Sequence, residues 1–184
     1  MVKKKASVFI SGEGTNLKSL IRNSRDYKFP VNISLIITDN KNAKGIRYAI
    51  KYSIPYFIFK NSLISEKKIL SEHLKRNISI ICLAGYMKIL SKSFIKSFNK
   101  KIINIHPSIL PNYKGLNTYK RVLQNGERIT GSTVHYVNEK LDSGKIILNK
   151  KFLIEKNDNT KTLMKKTKKI EHVLFSKSLI KIFN

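Results

Sequence analysis

Ile78-Ser79-Ile80-Ile81-Cys82-Leu83-Ala84, closed by Gly85, is an almost continuous apolar run rich in β-branched residues. A run of this length, ended by glycine, reads as a strand buried on both faces, the kind that a parallel sheet covered by helices requires. The chain alternates on either side of it. Residues 7–11 (SVFIS), 31–38 (VNISLIIT) and 55–59 read as strands. Between them, 15–24 carries Leu17, Leu20 and Ile21 at helical spacing, 43–52 has a weaker helical pattern, and 65–75 carries Ile69, Leu70 and Leu74. Beyond the central run, 87–98 reads as a helix and 101–105 as a strand. This alternation predicts an α/β fold: a mostly parallel, twisted sheet with helices on both faces, Rossmann-like in its N-terminal half.

After His106 the pattern changes. A loop with Pro107, Pro111 and Gly115 precedes a helix near 118–124. Two strands, 129–137 and 145–153, are joined through 138–144. A last amphipathic helix, 160–183, has Leu163, Met164, Thr167, Ile170, Val173 and Leu174 on one side. No linker-like stretch interrupts the chain, so residues 1–184 are expected to form a single domain.

Composition narrows the function. The 184 residues are 41% apolar, which a disordered chain would not normally reach. No apolar run approaches the roughly 20 residues of a membrane-spanning helix, and the run after the basic tip at 3–5 is too short for a signal-peptide core. The single cysteine, Cys82, lies in an apolar run and is expected to be a small buried hydrophobe in a reducing cytoplasm. No cysteine pair offers a zinc site, and no metal is expected. The formal net charge of +26 would ordinarily suggest nucleic acid. Yet 31 of the 37 basic residues are lysine, spread over the whole length, and Ile (27) and Asn (17) are also heavily used. These three residue types share A/T-rich codons, so the charge reads as nucleotide bias. Nucleic-acid readers favour arginine, whose planar fork pairs with bases and phosphates. Nucleic acid is therefore not expected as the main partner, nor a membrane. An attraction for small anionic substrates is.

Ligands of open parallel sheets bind outside the carboxyl ends of the strands, and three motifs fall there. Gly12-Glu13-Gly14-Thr15-Asn16 follows a strand and opens a helix, which suits one phosphate held by backbone N–H groups. The plain alternative is a glycine turn with Thr15 or Asn16 as a cap. In Asn104-Ile105-His106-Pro107, Asn104 and His106 share one face of a strand, pairing a carboxamide with a titratable imidazole as acyl chemistry requires. Two capped polar residues at a strand end are the alternative. Leu141-Asp142-Ser143-Gly144 is a good turn in its own right, and a carboxylate there near His106 would favour the imidazolium. His135 alternates with Val134 and Val137 and either lines the same cleft or is a satisfied strand histidine. His73 is given no role, and His172, after Glu171, is read as structural.

The order and content of these pieces resemble the folate-dependent formyltransferases. The resemblance is carried by Ile105-His106-Pro107-Ser108 through Pro111 and Gly115-Leu116-Asn117-Thr118, then Gly131-Ser132-Thr133-Val134-His135, then Leu141-Asp142-Ser143-Gly144. Ile10 to Leu17, Leu83 to Ser91 and Glu171-His172 extend it over nearly the whole chain. It implies transfer of a formyl group from 10-formyltetrahydrofolate, as co-substrate, to the amine of glycinamide ribonucleotide in purine biosynthesis. Carried over, Asn104, His106 and Asp142 are catalytic. Gly14, Thr15 and Asn16 hold the substrate phosphate and Glu171 contacts the substrate. Tyr86, Met87, Lys88, Ile89 and Leu90 flank the folate, largely through backbone groups. Residues 1–100, roughly, then form a phosphate-binding half, and 101–184 a catalytic and folate-binding half. The partners implied are small molecules, and the chain is a monomer or a homodimer.

Two departures stand out. Lys88 replaces an arginine common in the family, and 60–70 lacks a clear counterpart to an arginine that often helps hold the phosphate, with Lys67 or Lys68 as substitutes. Methionyl-tRNA formyltransferases and formyltetrahydrofolate hydrolases share the core but carry further domains, C-terminal and N-terminal respectively. They remain the alternatives, with a basic nucleic-acid-binding module.

Overall fold

A computed structural model describes residues 2–60 and 62–183. Seven strands form one sheet: β1 (Lys4–Ile10), β2 (Val31–Thr38), β3 (Tyr56–Ile58), β4 (Ile80–Leu83), β5 (Lys101–His106), β6 (Ile129–Tyr136) and β7 (Ile146–Leu153). Their spatial order is β3-β2-β1-β4-β5-β6-β7. The first five are parallel, while β6 runs against β5 and β7 against β6. Among the described residues there are six helices: α1 (Thr15–Ser24), α2 (Ile46–Lys51), α3 (Leu63–Lys75), α4 (Lys92–Phe98), α5 (Thr118–Gln124) and α6 (Thr160–Phe183).

The apolar strands serve two cores. Val8 and Ile10 of β1 face a cluster with Leu17 and Leu20 of α1 and Phe175 and Leu179 of α6. Phe9 points the other way, to Ile69 of α3 and Phe94 and Phe98 of α4. That alternation puts helices on both faces, as the apolar runs demanded. Because β1 lies between β2 and β4, the strand order reverses at its carboxyl end. There Ser11 N–H bonds the Gly85 carbonyl at 3.1 Å, bringing together the loops that follow β1 and β4. This is the crevice where doubly wound sheets bind ligands.

Several expected boundaries move. Strand β1 begins at Lys4, since Lys4 and Lys5 pair with Val31 and Asn32 through backbone groups that their polar side chains conceal. Pairing with β1 and β5 trims the central run to Ile80–Leu83. The weak pattern over 43–52 yields only the short α2, and the helix expected from Met87 starts at Lys92. The buried residues of α6 are Leu163, Thr167, Glu171, Leu174, Phe175, Ser176, Ser178 and Leu179. Met164 and Val173, placed inside by hydropathy, are exposed.

His73 is buried between the rings of Phe9 and Phe98, with Nδ1–H donating to the Ile69 carbonyl at 2.6 Å. Burial pushes its pKa down to about 4, from about 6.5 for an ordinary histidine. The unfolded chain therefore binds a proton that the folded chain refuses between those values. Stability is lost as pH falls from about 6.5 to about 4, by up to about 3 kcal/mol from this group. His73→Phe should flatten that part of the urea-denaturation midpoint against pH. An unchanged acid limb in His73→Phe refutes the assignment.

Candidate active site

The site is built at the carboxyl ends of β1, β4 and β5. Antiparallel pairing of β5 with β6 sets Asn104 opposite His135 and His106 opposite Thr133. The turn 138–144 then returns over this face, closed by Ser143 Oγ on Asn138 Oδ1 and the Lys140 carbonyl. A Cβ on Gly144 would lie 1.8 Å from the Tyr136 carbonyl oxygen, so only glycine lets the turn approach β6 this closely. Asp142, at φ 44°, is carried back over Asn104 and His106.

Four groups converge on the Asp142 carboxylate. Gly115 N–H donates to Oδ2 at 2.8 Å and Asn104 Nδ2 to Oδ1 at 3.3 Å. His106 Nδ1 is 3.3 Å from Oδ2, and His135 Nε2 is 3.6 Å from Oδ1. Burial works against the charge on Asp142, but the His135 contact, the Gly115 N–H and His106 outweigh it and hold its pKa at about 2. The carboxylate is ionised across the working pH range.

His106 is buried, with Nε2 bonded to the Tyr113 carbonyl at 2.8 Å and Nδ1 facing Asp142. Both ring nitrogens thus face acceptors, an arrangement that only the imidazolium satisfies in full. Burial nevertheless draws its pKa below the usual histidine value, while the Tyr113 carbonyl and Asp142 pull it back up. Asp142 thus acts on the ring in the sense expected of a neighbouring carboxylate, favouring the imidazolium, while burial opposes it. His135 Nδ1 bonds the Tyr136 carbonyl at 2.8 Å, and its Nε2 lies 3.3 Å from Asn104 Nδ2 and 3.6 Å from Asp142 Oδ1. It belongs to the cluster and is not an isolated strand histidine.

Gly14, at φ 70°, caps α1 without any side-chain hydrogen bond, so neither Thr15 nor Asn16 is the cap. Its Cβ would fall 2.6 Å from Gly45 Cα. The first intrahelical bond runs from Lys18 N–H to the Gly14 carbonyl, leaving the N–H groups of Thr15, Asn16 and Leu17 outside the helical ladder. Asn16 Nδ2 instead donates to Glu171 Oε2 at 2.8 Å, both residues being buried. Burial raises the Glu171 pKa, opposed by that bond and by Lys168.

The cations acting on this loop are Lys44, 2.8 Å from Glu13, with Arg47 and Lys168. Lys67 and Lys68, the expected substitutes, are exposed on α3, which packs against the opposite core. The available signal was Lys168 standing one helical turn before Glu171. A cleft of about 280 Å³ flanks the loop, lined by Thr15, Lys18, Ser19, Arg22, Asn23 and His172.

Residues 86–90 make no backbone–backbone hydrogen bond among the described residues. Met87 and Ile89 are 65% and 72% exposed, whereas Leu90 is buried. Met87 N–H is taken by Ser11 Oγ at 2.9 Å, and the other backbone groups, beside exposed apolar side chains, fit a flat heterocycle with a polar edge. Lys92 and Lys96 of α4 pair with Glu139 at 4.0 and 3.3 Å, drawing the Asp142 turn alongside this segment. Among the described residues there is no cluster of metal-ligating side chains, and no helix is long and apolar enough to cross a membrane.

A carboxamide, two imidazoles and a carboxylate at the carboxyl end of β5, together with an open helix N-terminus after β1, have the make-up of a group-transfer site. The chain belongs to the formyl transferase family, whose model matches residues 4–179. It is 38% identical to the phosphoribosylglycinamide formyltransferase of Haemophilus influenzae, over 94% of this chain and 84% of that protein. It is also 37% identical to the trifunctional purine biosynthetic protein adenosine-3 of Gallus gallus, covering 96% of this chain but only 18% of that much longer relative. The crystal structure of phosphoribosylglycinamide formyltransferase from Brucella melitensis superimposes with a TM-score of 0.93 at 35% identity, over 98% of this chain and 96% of that one.

Proposed function

We propose that this chain transfers the formyl group of 10-formyltetrahydrofolate to the amine of glycinamide ribonucleotide, in de novo purine biosynthesis. The observation that supports this most is the convergence of Asn104 and His106 on Asp142, each at 3.3 Å. The bound co-substrate supplies an activated formyl carbon: a bond to the amine nitrogen forms, the bond to the folate nitrogen breaks, and the amine's proton ends on that nitrogen. The protein's part is to hold and polarise. N–H groups of Thr15, Asn16 and Leu17, with Lys168 nearby, grip the phosphate, and Glu171 orients the sugar. Holding both molecules together removes an entropic barrier. Asn104 Nδ2 donates to the oxygen on which negative charge develops, exchanging a 3.3 Å bond for a shorter one. His106, whose second proton Asp142 and the Tyr113 carbonyl favour, adds positive charge beside that oxygen as its negative charge grows.

In this reading the residues at 86–90 receive the pterin through backbone groups, the partners are small molecules, and the reaction takes place in the cytoplasm by a monomer or homodimer. The experiment is incubation with 10-formyltetrahydrofolate and glycinamide ribonucleotide, alongside charged initiator tRNA and a no-acceptor control. Formylation of the ribonucleotide alone is expected. Formyl-methionyl-tRNA, or formate released without an acceptor, would overturn the reading in favour of another member of the family.

A further inference from the structure

The irregular segment 86–90 has an unusual means of support. With no backbone ladder of its own, it is tied at both ends by acidic residues from distant parts of the chain. At its start, Ser11 Oγ accepts Met87 N–H at 2.9 Å and donates to Asp39 Oδ1 at 2.6 Å, while Ser11 N–H holds the Gly85 carbonyl. At its end, the buried carboxylate of Glu66 on α3 accepts Ser91 N–H at 2.9 Å and the Ser91 hydroxyl. Ser91 Oγ in turn caps α4 by accepting Phe94 N–H at 3.0 Å. Leu90, buried beside this post, pins the segment to the core. Burial, followed by the charges of Asp39 and Glu66, raises the pKa of the Tyr86 phenol, so both carboxylates stand within electrostatic reach of one side chain of the segment.

Neither carboxylate is needed to close a core, and a buried charge is costly unless its partners matter. The partners here are the amide and hydroxyl that stop the α4 helix from extending back through 87–91. A helical segment would consume the amide groups that the irregular one leaves open.

We infer that Glu66 is a positioning residue for the co-substrate, with Asp39 its counterpart at the other end: acting through Ser91 and Ser11, they hold 86–90 open so that its backbone can pair with the polar edge of the pterin. The inference rests on the formyl-transfer reading for the identity of the ligand, but not for the clamp itself.

Three variants test it: Glu66→Ala, Glu66→Gln and Ser91→Ala. Glu66→Ala should raise KM for 10-formyltetrahydrofolate roughly tenfold, the scale of losing charge-assisted bonds, with kcat and KM for glycinamide ribonucleotide within about twofold. Glu66→Gln keeps one acceptor oxygen and should recover most of that loss, whereas a purely electrostatic role would leave it as impaired as Ala. Hydrogen exchange of the Ser91 amide, the one Glu66 holds, should quicken in Glu66→Ala and not elsewhere in the sheet. A folded Glu66→Ala with unchanged KM for the folate and unchanged exchange overturns the inference. Should Glu66→Ala fail to fold, Ser91→Ala carries the test, with about a threefold rise in the same KM expected from a lost neutral hydrogen bond and no rise overturning it. If the wild type forms no formylated product, the functional reading fails on its own, and exchange at Ser91 still decides whether the clamp exists.

Discussion

Asp142→Asn is expected to lower kcat by about a thousandfold, the scale on which preorganised charge is worth in a partly buried site. The substitution is nearly isosteric, so the loss is electrostatic. Asp142 accepts from Gly115 N–H, from Asn104 Nδ2 and from the His106 side. An amide offers only one acceptor oxygen, and its –NH2 must then face a donor wherever it points. The charge matters as much. Asp142 is one of the two influences that raise the pKa of His106 against burial. Removing it lets that pKa fall further, so at any pH less of the ring carries the second proton. Two measurements check this. Imidazole NMR should show the His106 titration moving to lower pH in Asp142→Asn, and steady-state kinetics should place the loss in kcat, with KM values changed only a few-fold. Wild-type Asp142, with a pKa of about 2, gives no inflection of its own between pH 5 and 9. A kcat within tenfold of wild type would remove Asp142 from the machinery.

Much of this arrangement is legible in the sequence because parallel strands covered on both faces leave so strong a signal. The run at Ile80–Leu83 and its neighbours announce the sheet, and a parallel sheet announces where its ligands bind. What the sequence hides is whatever depends on contacts across the fold. The late start of α4 is partly local, Ser91 capping it through Phe94 N–H, and partly distant, Glu66 holding Ser91 from 25 residues earlier. Hydropathy does not give the inward face of α6, where small polar residues pack closely: the buried Ser178 bonds the Leu174 carbonyl through its hydroxyl, while Val173, more apolar, points outward. The cations around the Gly12–Gly14 loop are masked by abundance, since in a chain so rich in lysine no single lysine stands out until Lys44, Arg47 and Lys168 are seen around Glu13. His135 could be placed beside Asn104 only by the β5–β6 register, which spacing along the chain does not fix.

Asn104→Ala is expected to reduce turnover roughly 100- to 1000-fold, the usual cost of deleting one oxyanion donor. The ground-state geometry explains why the effect should fall on kcat. Asn104 Nδ2 makes two bonds, to Asp142 Oδ1 and His135 Nε2, and both are long at 3.3 Å. Long bonds contribute little to holding the folded state and are cheaply exchanged when a stronger acceptor develops nearby. A carbonyl oxygen is a modest acceptor and an oxyanion a strong one, so the donation strengthens as the reaction proceeds, and differential binding of that kind accelerates chemistry. Folate affinity should therefore change much less than turnover, and the melting temperature should stay close to wild type because Asn104 lies outside both apolar cores. Asn104→Asp separates donation from mere shape: it keeps the size, abolishes the donor and sets a second carboxylate beside Asp142. It should be at least as damaging as alanine. If Asn104→Asp turned over better than Asn104→Ala, the side chain would be acting as an acceptor, and the developing negative charge would have to be stabilised by His106 alone.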